Sequence, residues 1–214
     1  LYEAEREEMV NRLIAYGYLR DERVIKAMLK VPRHLFVPPE SVRYAYEDCP
    51  LPVGKNQTIS APHMVATMCE SLELREGQRV LEIGTGTGYH ACVVAEIIAT
   101  GEIYSVERFP SLAERAKENL RRAGCKRVRV IVGDGSKGYA EKAPYDRIYV
   151  TAGAPRVPEP LVEQLAEEGR LLIPIGSRYT QDLILLVKSK GEVAKKNLGG
   201  CAFVPLIGEY GWEE

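Results

Sequence analysis

Apolar residues recur along this chain first at a helical period and then, after Gly77, in short runs punctuated by glycine. Residues 3–16 carry Met9, Val10, Leu13 and Ile14 on one face of a charged segment, which predicts a helix. A second helix starts behind Asp21, a good N-cap, and places Val24, Ile25, Met28 and Leu29 at helical spacing until Val31-Pro32 stops it. Between 32 and 60, Pro32, Pro38, Pro39, Pro50 and Pro52 interrupt any period, while Phe36, Tyr44 and Tyr46 argue against disorder. That stretch reads as an ordered connection without regular structure. Ser60 then has the character of an N-cap, with Pro62 in the first turn of a helix whose buried face is Val65, Met68, Cys69 and Leu72.

From residue 79 the pattern alternates between strand and helix. Strands are predicted at 79–83, 102–107, 127–132, 146–151 and 171–175, and helices at about 89–99, 110–123 and 158–167, the last stopping at Gly169. Such a β-α-β-α-β rhythm implies a doubly wound α/β domain, a mostly parallel sheet with helices on both faces. The tail departs from it. Asp182–Lys188 and Glu192–Asn197 read as an antiparallel hairpin about Lys190-Gly191, and Ala202–Pro205 as one more extended piece. The expected organisation is one domain over 1–214, with a helical extension at 1–60, an α/β core at 61–180 and a hairpin and tail at 181–214.

Composition narrows the classes. A net charge of -1 gives no basic footprint for nucleic acid. No apolar run reaches membrane-spanning length, and the charged start does not resemble a signal peptide. Cys49, Cys69, Cys92, Cys125 and Cys201 are scattered, odd in number and without a C-x-x-C pair, so reduced cysteines in a cytoplasmic protein are expected. His34, His63 and His90 are too far apart for a local metal motif, and no metal is expected.

The chemistry collects where a doubly wound sheet binds ligands, beyond the carboxyl ends of its strands. The first strand runs through Leu81, Glu82 and Ile83 into Gly84-Thr85-Gly86-Thr87-Gly88. This G-x-G-x-G turn differs from the dinucleotide fingerprint G-x-G-x-x-G, and Glu82 ahead of it would repel a pyrophosphate. On charge, S-adenosylmethionine fits better than NAD. Glu107 ends the second strand, nineteen residues past Gly88, where an ionised carboxylate can accept both ribose hydroxyls. Asp134, between Gly133 and Gly135, suits an adenine amine. Glu82 either holds the turn or meets the ligand's amino group; Thr85 and Thr87 read as turn residues and His90 as structural. Ser60 is a helix cap or a substrate contact, two roles that compete for one hydroxyl, and no base for a serine nucleophile is signalled.

The blocks Gln57–Met64, Leu81–Tyr89, Ser105–Arg108, Gly133–Gly135 and Phe203–Leu206 occur in order, and together they resemble the protein-L-isoaspartate O-methyltransferase family across nearly the whole chain. The resemblance implies a seven-stranded Rossmann-like methyltransferase fold with S-adenosylmethionine as donor and S-adenosylhomocysteine as product. It implies methylation of the α-carboxylate of L-isoaspartyl residues in damaged proteins and peptides, giving an ester that returns through a succinimide to aspartyl. By position, Glu82, Gly84, Thr85, Gly86, Gly88, Glu107, Arg108, Asp134 and Gly135 would hold the donor. Ser60 would be the active-site serine, with Thr58, Ile59, His63, Val204, Pro205 and Leu206 lining the substrate side. The expected partners are isoaspartyl proteins and peptides, with no nucleic acid or membrane, and the expected state is a monomer. Glu209–Trp212 matches no functional region. An ionised carboxylate attacking a sulfonium methyl needs alignment and exclusion of water rather than a base, so the missing triad is consistent with that chemistry.

Overall fold

The computed structural model describes residues 2–214. Helices α1 (Glu3–Ala15) and α2 (Glu22–Lys30) form as the periodicity predicts. Asp21 caps α2 through the Arg23 N–H at 2.8 Å. α1 buries Met9, Val10 and Leu13, while Ile14 falls off that face and stays exposed.

The proline-rich connection is more regular than its sequence implies. It makes two 3-10 turns, Arg33–Phe36 and Pro39–Tyr44, and then an antiparallel hairpin of β1 (Leu51–Gly54) and β2 (Gln57–Ile59). Lys55 and Asn56 carry it round with φ of 54° and 55°, the twist that a tight hairpin requires. Pro52 is tolerated because a two-stranded ribbon leaves each strand a free edge.

Helix α3 (Pro62–Leu72) begins one residue later than expected: its N-cap is Ala61, and no side chain caps it. Ser60 is therefore not the capping residue. The core strands are β3 (Arg79–Ile83), β4 (Glu102–Glu107), β5 (Val128–Val132), β6 (Tyr145–Val150), β7 (Leu165–Gly176), β8 (Gln181–Ser189) and β9 (Glu192–Cys201). They form one sheet in the order β5-β4-β3-β6-β7-β8-β9, parallel from β5 to β7 and antiparallel across β8 and β9. Helices α4 (Tyr89–Ile98), α5 (Pro110–Arg122) and α6 (Glu159–Glu163) connect the parallel strands.

A second predicted boundary is also wrong. α6 ends at Glu163 rather than 167, because Leu165 already pairs with Tyr145 as the start of β7. The four-residue spacing of Leu161 and Leu165 mimics a helix, but Leu165 is buried from a strand. The register then jumps to Arg147↔Arg170, with Glu168 at φ 58° in the intervening bulge. Gly169 belongs to that bulge: a Cβ there would sit 2.6 Å from the Ala166 carbonyl oxygen.

Strand alternation sorts the core into two layers. Val80, Ile103, Tyr149 and Leu172 face α1–α4, and Leu81, Ile83, Ile148, Leu171 and Ile173 face Leu161 and Leu206 on the other side. The N-terminal helices thus share an apolar layer with the sheet. The chain leaves β3 toward β4 and β5, then crosses to β6 on the other flank of β3. This reversal opens a crevice beyond the carboxyl ends of β3 and β6.

Candidate active site

The crevice begins at the glycine turn. Thr151, just past β6, donates its hydroxyl to the Gly84 carbonyl at 2.8 Å and also reaches the Ile83 carbonyl at 3.1 Å. Gly84 has φ 94°, and a Cβ on it would lie 2.3 Å from the Thr151 Oγ1, so only glycine lets β3 and β6 close there. Gly86 is the opposite case: its missing Cβ would meet nothing within 4 Å, so the backbone borders open space.

Glu107 ends β4 with only 5% of its surface exposed. One carboxylate oxygen accepts the Gly86 N–H at 2.8 Å and the other accepts the Phe109 N–H at 3.0 Å. Each oxygen keeps a lone pair for a further donor. Glu82, near the end of β3 ahead of the turn, is fully buried. Tyr149 donates to one of its oxygens at 2.9 Å and Ser105 to the other, and Ser105 in turn meets the Thr85 hydroxyl at 2.5 Å. Burial pushes the Glu82 carboxyl up to about 8, against the lowering pull of those hydrogen bonds. With both oxygens engaged by protein, Glu82 acts as a strut beneath the turn.

The sequence-predicted residues divide into those the fold brings together and those it does not. Gly84, Thr85, Gly86, Glu107, Arg108 and Gly135 line one part of the cleft, together with Glu82. Thr58, Ile59, Ser60, Val204, Pro205 and Leu206 line the other, so the hairpin β1–β2 and the C-terminal tail meet over the turn. Gly88 is elsewhere: it opens α4, where a Cβ would stand 3.1 Å from the Leu120 Cγ, and it serves packing. His63 also lies outside, bonded to Asp48 at 2.9 Å and 5.2 Å from the Tyr18 ring.

Asp134 lies in an adjoining cleft with Arg108, Gly133, Gly208 and Trp212. One of its oxygens accepts the Ser136 N–H and hydroxyl at 2.9 and 2.7 Å, and the other accepts the Glu209 N–H at 2.9 Å. Burial raises the Asp134 carboxyl, but these hydrogen bonds outweigh it and hold the group below the usual carboxylate range. The tail that matched no function thus has a place. Tyr210 N–H reaches the Ser136 hydroxyl at 3.0 Å, and Trp212 Nε1 donates to the Gly153 carbonyl at 3.0 Å. Ion pairs Lys137–Glu209, at 2.5 Å, and Arg108–Glu214 fasten its edges.

Several site residues escaped the sequence pattern. Ser105 had a signal, a polar residue inside an apolar strand, and Thr151 stood at the carboxyl end of a predicted strand. Tyr149 and Tyr89 had none, since a strand or helix tyrosine ordinarily packs. Arg33 had none either. It is fully buried, donates Nε to the Ala45 carbonyl and Nη2 to the Ser60 carbonyl, each at 2.8 Å, and lies 4.8 Å over the Tyr89 ring.

A doubly wound sheet whose first strand enters a G-x-G-x-G turn, with a buried carboxylate ending the next strand over open space, defines a class: the S-adenosylmethionine-dependent methyltransferases. The family described as Protein-L-isoaspartate(D-aspartate) O-methyltransferase (PCMT) matches residues 4–211. Proteins named protein-L-isoaspartate O-methyltransferase from Hyperthermus butylicus and Methanopyrus kandleri are each 55% identical to this chain, covering 98% and 100% of it and 91% and 96% of themselves. A solved protein-L-isoaspartate O-methyltransferase superposes with a TM-score of 0.87 at 36% identity, over 96% of this chain and 67% of that one. A candidate member from Plasmodium falciparum, solved with S-adenosyl-L-homocysteine, has a TM-score of 0.85 at 29% identity, over 94% and 98%. The chain belongs to the protein-L-isoaspartate(D-aspartate) O-methyltransferase family. Among the described residues, no helix is long and apolar enough to cross a membrane.

Proposed function

We propose that the cleft binds S-adenosylmethionine with its ribose on Glu107 and its methionine end beside Gly84–Gly86, and that Ser60 positions the α-carboxylate of an L-isoaspartyl residue for methylation. The observation that carries this is the meeting of Ser60 and Glu107 in one cleft while Ala61 holds the N-cap position of α3, which relieves the Ser60 hydroxyl of capping. The donor set fits the cofactor: paired acceptor lone pairs at Glu107 suit a ribose diol, and Gly86 presents bare backbone to open space.

When bound, the cofactor supplies an electrophilic sulfonium methyl. The chain's residues do the rest. Ser60 donates its hydroxyl to one oxygen of the acceptor carboxylate, leaving the other to form the new C–O bond as the S–C bond breaks. No proton is abstracted, because the carboxylate is ionised at neutral pH. Two opposite charges become neutral products, so Val204, Pro205 and Leu206 assist by excluding water. Isoaspartyl and aspartyl carboxylates differ by about one methylene in reach, and apolar fit alone discriminates such pairs by roughly 1–3 kcal/mol. Backbone contacts to an extended peptide along Thr58–Ser60 and Val204–Leu206 supply the remainder. The protein works as a cytoplasmic monomer on damaged proteins and peptides.

The test supplies methyl-labelled donor with two peptides differing only in isoaspartyl or aspartyl linkage and counts base-labile methyl ester. Label confined to the isoaspartyl peptide is expected. No label from a preparation that binds donor, or equal label on both peptides, would overturn the assignment; label on RNA or a small metabolite instead would move the protein to another methyltransferase activity.

A further inference from the structure

Ser60 lies one residue beyond Leu51↔Ile59, the last paired position of the β1–β2 ribbon, and one before Ala61, the cap of α3. Neither the ladder nor the helix holds it. What reaches its backbone is the guanidinium of Arg33, whose Nη2 donates to the Ser60 carbonyl at 2.8 Å while Nε donates to the Ala45 carbonyl at 2.8 Å. That guanidinium is fully buried, and no carboxylate pairs with it among the described residues. Among the described residues its Nη1 is buried without a hydrogen-bond partner, and so is the hydroxyl of Tyr89, over whose ring the guanidinium lies. A desolvated, unpaired cation is a costly way to tie two loops together. The other buried arginine among the described residues, Arg147, also bonds backbone carbonyls, at Leu72, Glu73 and Asp146, but none of these lines the cleft, whereas Ser60 does.

We propose that Arg33 is a positioning residue for methyl transfer: clamped between the Ala45 and Ser60 carbonyls, it sets the place where the Ser60 hydroxyl meets the acceptor carboxylate. The planar fork delivers donors in two fixed directions, which a lysine ammonium on a flexible stem does not reproduce. The clamp acts from behind, on the Ser60 carbonyl, leaving the hydroxyl to the cleft. Tyr89 completes the seat, since its ring lies under the guanidinium and the residue is among those lining the cleft. The proposal rests on the role assigned to Ser60, and the test separates the two.

Arg33→Lys and Arg33→Gln are made in the wild-type chain and in Ser60→Ala, with turnover on the isoaspartyl peptide expressed per donor-binding site counted by calorimetry. A reacting atom displaced by ~1 Å loses on the order of 100-fold in rate. With Ser60 present, each Arg33 variant is expected to lower kcat about 10- to 100-fold while donor affinity holds; with Ser60→Ala, it changes turnover by less than about threefold. Equal losses in both backgrounds, no loss with Ser60 present, or loss of donor binding by both variants would overturn the Arg33 proposal and leave the function standing. Ser60→Ala with full activity would instead remove the Ser60 role.

Discussion

Glu107→Gln is an isosteric change, yet the hydrogen bonds of Glu107 make it far from conservative. The two carboxylate oxygens each accept a backbone N–H, from Gly86 at 2.8 Å and from Phe109 at 3.0 Å. A glutamine amide has one accepting oxygen. Whichever way it is turned, its NH2 faces one of those N–H groups, donor to donor. That orphans a buried backbone donor, at a cost of about 1–3 kcal/mol in stability. The donor site also loses one of the two ribose acceptors, and a hydrogen bond to a charged group contributes about 1.5–3 kcal/mol. The remaining bond weakens with the lost charge, so the donor should bind worse by about 2–4 kcal/mol, roughly 30- to 1000-fold in Kd. Calorimetric titration with S-adenosylhomocysteine reads the affinity, and a melt confirms that the variant is folded at the assay temperature. A folded variant with a Kd within threefold of wild type would refute both the ribose assignment and the accounting of lone pairs.

Ser60→Ala should leave the melting temperature nearly unchanged, because Ala61 caps α3. Loss of one bond to a carboxylate should lower kcat/KM by about 10- to 150-fold; a collapsed melt with intact turnover would restore the capping role. Glu82 gives a pH test. Its carboxyl is raised from 4.5 to about 8 in the folded protein. A raised acid contributes stability that is complete below its unfolded value and is lost as pH climbs toward its folded value. Glu82→Gln has no such titration, so its stability relative to wild type should grow by at most about 1.4 kcal/mol per pH unit between pH 5 and 7. Urea melts at three pH values would show this, and a constant difference would exclude it. Trp212→Ala removes the hydrogen bond to the Gly153 carbonyl and frees the tail from the cleft beside Asp134. Donor release followed by stopped flow should then be several-fold faster; an unchanged rate would mean that the tail does not gate the donor.

Long-period features of the fold were legible because they are local. The strand–turn–helix from Arg79 to Ile98 is written in an apolar run, alternate glycines and a following helical face, and Glu107 stands at a strand end that the same rhythm marks. The misread elements are those where local and tertiary preferences diverge. Leu161 and Leu165 share helical spacing but bury themselves from a helix and a strand, and the β1–β2 ribbon turns at Gly54-Lys55-Asn56 within a stretch whose prolines hide the strands on either side.

The site divides in the same way. Residue types in order along the chain pointed to one cleft and its neighbours, because a glycine turn and a strand-end carboxylate act through backbone geometry that neighbouring residues set. Which groups are spent on protein contacts was decided only by folding. Tertiary structure engaged both oxygens of Glu82 with Tyr149 and Ser105, turned one Asp134 oxygen to the Glu209 N–H, sent His63 to Asp48, and relieved Ser60 of its cap. It also brought Arg33 against the Ser60 carbonyl across twenty-seven residues of chain. A hydrogen bond depends on distances of about 3 Å between groups far apart in sequence, and no pattern along a single chain encodes that proximity.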